Sequence, residues 1–382
     1  MKTCQVFTVA LALSDDQARL LRLRAQQLAP PRGRPAAGVA RVVRGLVGVQ
    51  AQDSAAAALA IRARRAGLVV ADVERALAEE RSIVRTWGMR GTLHLVAAED
   101  AGWLLGLLGP VFSRATRGRR AQLGLGEEAG ARAVGALWRL LADSGPLTRA
   151  EIVEGLASRG IRLAGQARPH LLSLAAFEGR VCHGPSRGRE PTYVLLADWI
   201  DPGPALPRER ALAELARWYL SAYAPATPED LAAWSGLSLT DARAAWQQIS
   251  SRMAQVEIGG STAWMLKSQM KWLGKDAGPR PIVRLLPAFD AYLLGYRNRE
   301  LIVPARHAKR IFPGGGLLRP ALLLNGRVTG TWKAQRRRNA TEVVVEAFES
   351  LPRDVRQALE AEVEHIGHFL SAEASLTMIK PR

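Results

Sequence analysis

The stretch SGPLTRAEIVEGLASRGIRLAGQARPHLLSLAAFEGRVCHGPSRGREPTYVLLADW, residues 144–199, indicates how the chain folds. Thr148 and Glu151 have the spacing of a capping box, which predicts that a helix starts there. A second helix with apolar periodicity runs to about Phe177, and two short strands joined by a tip rich in Gly and Arg follow. The order helix, turn, helix, hairpin predicts a winged helix.

The same order of elements recurs in ATPEDLAAWSGLSLTDARAAWQQISSRMAQVEIGGSTAWML, residues 226–266. Thr227 is predicted to cap one helix and Ser238 the next, with Ser235 and Gly236 forming the turn between them. The pair Gly259-Gly260 is a hairpin signal. This segment is therefore interpreted as another winged-helix unit.

A third copy of the unit lies upstream. Helices are predicted at about 38–48 and 54–66, and Asp72 is predicted to cap a short helix. The segment SIVRTWGMRGTLHLV, residues 82–96, then predicts a hairpin with residues 88–91 at its tip.

The pattern changes from about residue 279 onward. Short apolar runs alternate with Pro and Gly, and Asn325-Gly326 is a turn signal between two strand-like runs. A helix is predicted from about Pro352 to Phe369. This part of the chain therefore predicts a small β-barrel or sheet with a closing helix.

Taken together, the patterns predict an α+β fold of three tandem winged-helix motifs followed by a small C-terminal β-barrel or sheet with a terminal helix. The expected division is an N-terminal extension (1–13), three winged-helix units (14–125, 126–204 and 205–278) and a C-terminal domain (279–382).

The charge of the chain points to an anionic partner. Lys and Arg number 53 against 35 Asp and Glu, which gives a net charge of +18 and a pI near 11.0. Such an excess is typical of proteins that bind phosphate backbones or anionic membrane surfaces. An Arg- and Ala-rich composition also arises from GC-rich codons, so composition alone leaves both explanations open.

Several classes of protein are not indicated. Two cysteines, Cys4 and Cys182, are too few for a disulfide framework and have no zinc-ligand spacing. Apart from the short apolar run MKTCQVFTVALAL, interpreted as an extension or a mis-assigned start rather than a signal peptide, the chain contains no membrane-like segment. The pair His365 and His368 could hold a metal ion, but a surface pair is favoured and no metal is expected. We expect a cytoplasmic, nucleoid-associated protein.

Two glutamines stand between predicted helices in GVQAQDS. Gly48 is a predicted helix stop and Asp53 a predicted helix N-cap, so the segment between them should be a non-helical elbow. In such an elbow the side chains of Gln50 and Gln52 can face one cavity, whereas on a helix they would diverge. The alternative is a turn whose amides bind nearby backbone groups. Asp53 could act as a general base, but a helix cap is favoured.

Four motifs in this order, VQAQ, VRTWGMRGTLHLV, LLPAFDAYLLGYRNR and NGRVTGTW, resemble the AlkZ/YcaQ-like superfamily of winged-helix DNA glycosylases. The resemblance runs from about Ser14 to the end of the chain. It implies that Gln50 and Gln52 form the Gln-x-Gln catalytic motif of the AlkZ-like branch. That branch removes bulky N7-alkylguanine adducts, can unhook interstrand crosslinks, and protects producers of DNA-alkylating antibiotics.

An amide pair suits this chemistry. Alkylation at N7 makes guanine cationic, so the leaving base needs no general acid, and the enzyme has only to place a water at C1′ of the sugar. Glutamine amides offer acceptors and donors that can orient the water without titrating.

Further side chains are predicted to contact DNA or line the cleft. Arg85, Trp87 and Met89 are expected to share one face of the first hairpin. The run Arg336-Arg337-Arg338 would face phosphate, or alternatively bulk water. The candidate DNA contacts are Arg85, Met89, Arg90, His94, Arg168, Arg187, Arg189, Arg336, Arg337 and Arg338. The candidate cleft residues are Trp87, Asp290, Arg297 and Arg299; Asp290 could instead pair with Arg297 or Arg299.

The functional hypothesis is a monofunctional DNA glycosylase that acts on alkylated purines in double-stranded DNA. Because no lysine is placed for a Schiff base, lyase activity is not expected, and the enzyme should be a monomer that needs no cofactor. The alternative is a winged-helix transcriptional regulator without catalysis. A protein that sequesters the free drug is a third possibility, against which the net charge argues.

Overall fold

The computed structural model describes residues 11–29, 38–274, 281–336 and 340–379. Cys4, Arg337 and Arg338 lie outside these ranges. The elements up to residue 122 are β1 (Leu11–Leu13), α1 (Asp15–Ala25), α2 (Val39–Gly45), β2 (Val49–Gln50), α3 (Ser54–Arg64), α4 (Val70–Ala78), β3 (Ile83–Trp87), β4 (Leu93–Ala97) and α5 (Ala101–Gln122). The next elements are α6 (Glu127–Ser144), β5 (Leu147–Thr148), α7 (Arg149–Ala157), α8 (Ala167–Phe177), β6 (Val181–His183), β7 (Thr192–Leu195) and α9 (Leu196–Trp199).

The second half of the chain places three helices and a hairpin before a larger sheet. Its elements are α10 (Arg208–Tyr223), α11 (Pro228–Ser235), α12 (Leu239–Gln248), β8 (Met253–Ile258), β9 (Ser261–Leu266), β10 (Val283–Leu286), α13 (Ala291–Leu294), α14 (Ala308–Ile311), β11 (Ala321–Leu324), β12 (Arg327–Arg336), β13 (Ala340–Ala347), α15 (Arg353–Leu370) and β14 (Glu373–Ile379).

The described strands form three sheets, so the predicted α+β class is confirmed. One sheet has the order β2-β4-β3-β6-β7-β5 and joins the first and second predicted units through an Arg85–His183 pairing. Another has the order β1-β8-β9, in which β1 pairs with β8 in parallel. The third is a curled five-stranded sheet with the order β10-β11-β12-β13-β14. Strands distant in sequence therefore hold the parts of the chain together.

The local helix signals in the sequence are reproduced. Thr148 and Thr227 cap α7 and α11 as capping boxes, and the Ser238 side chain caps α12. Gly236 ends α11 in the left-handed conformation with φ 83°. The Asn325-Gly326 turn joins β11 to β12, as predicted. Short-range capping and turn chemistry thus sets the ends of these elements.

Two sequence predictions need correction. Asp72 does not cap α4 from outside; it lies in the first turn, where its carboxylate accepts a hydrogen bond from the Val69 N–H at 2.8 Å. The C-terminal sheet does not end with a helix, because β14 follows α15 and pairs with β13 in parallel. The helix packs Leu359 and Ile366 against the apolar face of this sheet.

Two ion pairs from α3 are buried between the first unit and the C-terminal domain. Arg64 donates from both terminal nitrogens to the Asp290 carboxylate at 2.8 Å, and neither side chain is exposed to solvent. Gln26 accepts a further bond from Arg64 at 2.8 Å. Two residues earlier on α3, Arg62 pairs with Glu362 at 3.0 Å. The C-terminal half of α3 is therefore tied to the sheet domain by charge.

The Arg64→Met variant should lower the free energy of unfolding by about 3–5 kcal/mol, because it leaves the buried Asp290 carboxyl group without its partner. Urea denaturation followed by far-UV circular dichroism measures this loss. The exposed pair between Arg132 and Glu128 provides the control, since Arg132→Ala should leave the midpoint unchanged. Equal effects of the two variants would contradict a special role for the buried pair.

Candidate active site

A sharp turn leads from α2 into the glutamine motif. Helix α2 ends at Gly45, and the backbone then adopts positive φ at Val47 (60°) and Gly48 (119°). A Cβ atom on Gly48 would lie 2.9 Å from Cε of Met89 and 3.2 Å from the Leu95 carbonyl oxygen. Only glycine fits this combination of backbone conformation and close packing. The predicted non-helical elbow is confirmed.

The elbow ends at the N-terminus of α3. Gln50 lies opposite His94 in the short pairing of β2 with β4. Asp53 is the N-cap of α3, and its Oδ1 accepts hydrogen bonds from the Ala55 and Ala56 N–H groups at 2.9 and 3.0 Å. The favoured interpretation of Asp53 as a helix cap is therefore confirmed.

The two glutamine amides meet at this elbow. Gln50 Nε2 donates to Gln52 Oε1 at 2.5 Å, and the Gln52 side chain is exposed to solvent. On the other side, Arg90 Nη2 donates to Gln50 Oε1 at 2.6 Å, and Arg90 Nη1 donates to the Trp234 carbonyl. A continuous hydrogen-bonded chain thus runs from the third predicted unit to the glutamine pair.

Arg90 is held in an unusual conformation. It lies at the tip of the β3–β4 hairpin with φ 54° and ψ 19°, the left-handed region that costs a non-glycine residue roughly 1–2 kcal/mol. The turn at Gly236 packs directly on it, since a Cβ there would lie 3.1 Å from the Arg90 Cα. Burial lowers the pKa of Arg90; Tyr223 opposes this effect and Arg299 adds to it. Packing at Gly236 thus holds the hairpin tip against the third predicted unit.

His94, which lies behind Gln50, is electrically neutral. Its side chain is 2 % exposed, and Nδ1 lies 3.0 Å from the Thr92 carbonyl oxygen. Burial, and to a lesser extent the Arg90 guanidinium, lower the pKa of His94 to about 3. Buried and uncharged, His94 has no surface for DNA in this structure, and the fully buried Met89 has none either. The buried positions of His94 and Met89 therefore do not support the prediction that these residues contact DNA.

Arg85 supports the other side of the motif. Its Nε donates to the Ala51 carbonyl, between the two glutamines, at 2.9 Å. Burial lowers the pKa of Arg85, while Tyr193 and Asp53 oppose that effect. Arg85 and Trp87 share a strand as predicted, but β3 ends at Trp87 and Met89 turns into the core.

An aromatic stack beside Arg85 was not anticipated from the sequence. His183 lies between Trp87 and Tyr193, with ring centroids at 5.6 and 4.6 Å. In the described part of the chain neither ring nitrogen of His183 has a hydrogen-bond partner. Burial first, then Arg85 and Arg149, lower the pKa of His183 to about 3. The only available signal was a histidine inside the strand-like run VCH.

The basic residues predicted to contact DNA in the second unit are exposed and far from the glutamines in sequence. Arg168 lies on α8, and Arg187 and Arg189 lie in the wing. Arg187 pairs with Glu151 at 2.6 Å, and Arg168 donates to the Leu163 carbonyl at 3.2 Å. Arg189 is exposed in the same β6–β7 connection. Arg336 ends β12. The basic residues therefore occupy several separate elements.

The candidate cleft residues have different environments. Asp290 is fully buried, pairs with Arg64 rather than with Arg297 or Arg299, and caps α13, so it lines no open surface. Arg297 is exposed. Arg299 lies over the Phe312 ring at 4.6 Å, and burial lowers its pKa.

Neither a membrane-spanning helix nor a metal site is present in the described ranges. No helix there is both long and apolar enough to cross a membrane. The same ranges contain no group of three or more His, Cys, Asp or Glu side chains arranged to hold a metal ion.

Comparison with known proteins identifies the family. The profile described as "DNA glycosylase AlkZ-like" matches residues 43–369. The chain belongs to the AlkZ-like DNA glycosylases. An "Interstrand DNA cross-link repair glycosylase" from Streptomyces sahachiroi is 31% identical over 362 residues, covering 89% of this chain and 92% of the relative. The solved structure of Streptomyces sahachiroi DNA glycosylase AlkZ superimposes with a TM-score of 0.82 at 27% identity, covering 97% of this chain and 100% of that one.

Family membership confirms the resemblance inferred from the four motifs, and the enzyme is a DNA glycosylase. The alternative of a regulator without catalysis finds no support in these similarities.

The buried His183 of this AlkZ-like glycosylase should make the fold sensitive to acid. Unfolded histidine binds a proton below about pH 6.5, whereas folded His183 does so only near pH 3. The unfolded state therefore binds more protons between these values, and stability falls as the pH drops. His183→Phe, which keeps the stack, should remove about 2 kcal/mol of the loss between pH 7.5 and pH 5.

Urea titrations at the two pH values measure this difference. The wild-type protein gives the reference loss of unfolding free energy between the two pH values. If His183→Phe loses as much as the wild type, the imidazole is protonated in the folded protein at pH 5.

Proposed function

We propose that this AlkZ-like glycosylase hydrolyses the N-glycosidic bond of N7-alkylated guanine in duplex DNA, with Gln50 and Gln52 as the catalytic residues. The observation that supports the assignment is the contact of the two amides at 2.5 Å on an exposed elbow. The neighbouring titratable groups are engaged elsewhere, because Asp53 caps α3 and His94 is neutral. A pair of amides that places a water is the chemistry this arrangement supports.

The reaction balances without a general acid. The bond between C1′ and N9 breaks, its electron pair goes to the purine and neutralises the positive charge from N7 alkylation, and the water oxygen bonds to C1′. The water's proton passes to bulk solvent. The amides lower the barrier by orienting the water, and the Gln52 carbonyl oxygen stabilises the oxocarbenium-like charge. Undamaged purines, which leave as anions, should react far more slowly.

The substrate range we propose follows the named relative. Because the Streptomyces sahachiroi protein is an interstrand cross-link repair glycosylase, we include bulky N7 adducts and crosslinks among the substrates, in base-excision repair. Self-resistance to a DNA-alkylating antibiotic would be the biological role. The exposed position of Gln52 supports this range, since a bulky adduct needs an open approach.

The DNA surface is proposed from the helix-turn-helix and hairpin elements. We assign three winged-helix units to 14–125, 126–204 and 205–278, preceding a C-terminal domain at 279–382. The order of α7, α8 and the β6–β7 hairpin, and of α11, α12 and the β8–β9 hairpin, supports the assignment. A monomer would bind through phosphate contacts of the half-buried Arg85 and the exposed Arg168, Arg187 and Arg189, together with the run Arg336-Arg337-Arg338. The proposed residues are Arg85, Arg168, Arg187, Arg189, Arg336, Arg337 and Arg338.

Gln50→Ala and Gln52→Ala should each lower the single-turnover rate of base release by about 100-fold while leaving duplex binding intact. The assay is mass spectrometry of bases freed from DNA treated with a panel of alkylators, with fluorescence anisotropy for binding. If the wild-type protein binds every alkylated duplex and releases no adduct, the proposed function is wrong.

Asp53→Asn should retain base release within about threefold and retain stability, because asparagine caps a helix as well as aspartate does. The same release assay and a thermal melt measure the two quantities. Loss of release in a stably folded Asp53→Asn protein, with release preserved in Gln52→Ala, would transfer the catalytic role to Asp53.

A further inference from the structure

The hydrogen bonds around the glutamine pair have a fixed direction. Resting on the proposed function, we propose that Arg90 is a positioning residue that orients both site amides. Through the chain Arg90 to Gln50 to Gln52, it would make a Gln50 N–H and the Gln52 Oε1 face the same water. Arg90 would then act through Gln50 and not through a DNA phosphate.

The chemistry of arginine determines the direction. A guanidinium has only donors, so the amide atom of Gln50 that lies 2.6 Å from Arg90 Nη2 must be the oxygen. The other end of Gln50 is then an NH₂ group, which has only donors as well. The atom of Gln52 at 2.5 Å from it must therefore be Oε1. Neither amide can reverse while Arg90 stays in place.

The fixed direction leaves a defined set of free groups. Gln50 Nε2 has a second hydrogen, and Gln52 Oε1 has a second lone pair, both at the junction of the two amides. A water at this junction can accept from Gln50 and donate to Gln52, which directs its remaining lone pair outward. Among the described residues Gln52 binds no partner except Gln50, so its free groups are available to substrate.

Arg90 is anchored well enough to impose this order. Its second terminal nitrogen binds the Trp234 carbonyl, and the turn at Gly236 packs against its Cα. Within the described ranges Arg90 pairs with no carboxylate, so no anionic side chain competes with Gln50 for its guanidinium. The left-handed backbone at the hairpin tip of the first predicted unit directs the Arg90 side chain towards Trp234 in the third.

The first arm of the test reads the amides directly. In protein labelled with ¹⁵N-glutamine, the side-chain NH₂ resonances of Gln50 and Gln52 are assigned with the alanine variants. We expect Arg90→Met to shift both NH₂ signals and to speed the exchange of the Gln50 NH₂ hydrogens with solvent. Arg85→Met, which also removes a guanidinium bound to this elbow, should leave the Gln50 amide bonded to Gln52. Unshifted resonances in Arg90→Met would overturn the proposal.

The second arm is a double-mutant cycle on the single-turnover rate. Arg90→Met should lower the rate by about 30-fold with less than about threefold change in the Kd for duplex DNA, a split that simple loss of phosphate binding would not give. Combined with Gln50→Ala it should cause no further loss. In contrast, the fold-losses in rate of Arg85→Met and Gln50→Ala should multiply in the double variant. Multiplicative effects of Arg90 and Gln50 would show that Arg90 acts independently.

The third arm uses the asymmetry of the chain. Gln52→Glu keeps an acceptor at the junction, so its rate of base release should stay within about tenfold of the wild-type rate. Gln50→Glu loses the donor and turns the Gln52 oxygen away, so its rate should fall about 100-fold or more. Equal activity of the two variants would overturn the proposal. If the wild-type protein releases no adduct, the proposed function fails, and the amide resonances still decide whether Arg90 orients the pair.

Discussion

The buried ion pair between Arg64 and Asp290 is the contact on which the geometry of the candidate site depends. Neither charge reaches solvent, so each must be neutralised by the other, and this pairing fixes the C-terminal end of α3 against the C-terminal domain. The same helix begins at the Asp53 cap, immediately after Gln52. Helix α3 thus links the sheet domain, which it contacts through Arg64, to the glutamine elbow at its N-terminus.

The site avoids groups that change charge near neutral pH. His94 and His183 are neutral because burial and neighbouring arginines disfavour their protonated forms, and the Asp53 carboxylate is occupied by backbone N–H groups. What remains at the elbow is a pair of amides with a cationic anchor. Such an elbow offers no strong acid or base, which fits the proposed reaction on a substrate that is already activated.

Local signals in the sequence were sufficient for most elements, because capping boxes, turn glycines and the Asn-Gly hairpin act over a few residues. The convergence of Gln50 and Gln52 followed from the same reasoning. Contacts between distant segments could not be derived in this way. The pairing of Asp290 with Arg64, the Trp234 carbonyl that holds Arg90, and the parallel pairing of β14 all depend on tertiary packing that no short pattern encodes. Burial of Met89 and His94 was missed for the same reason, since alternation along a hairpin does not reveal what packs on its tip.

The partner of Arg62 stands 300 residues further along the chain, on α15. Because α3 and α15 lie so far apart in sequence, this buried pair can form only after α15 has been synthesised. A chain that stops before α15 would lack this contact, so the position of α3 in the folded protein depends on segments from both ends of the polypeptide.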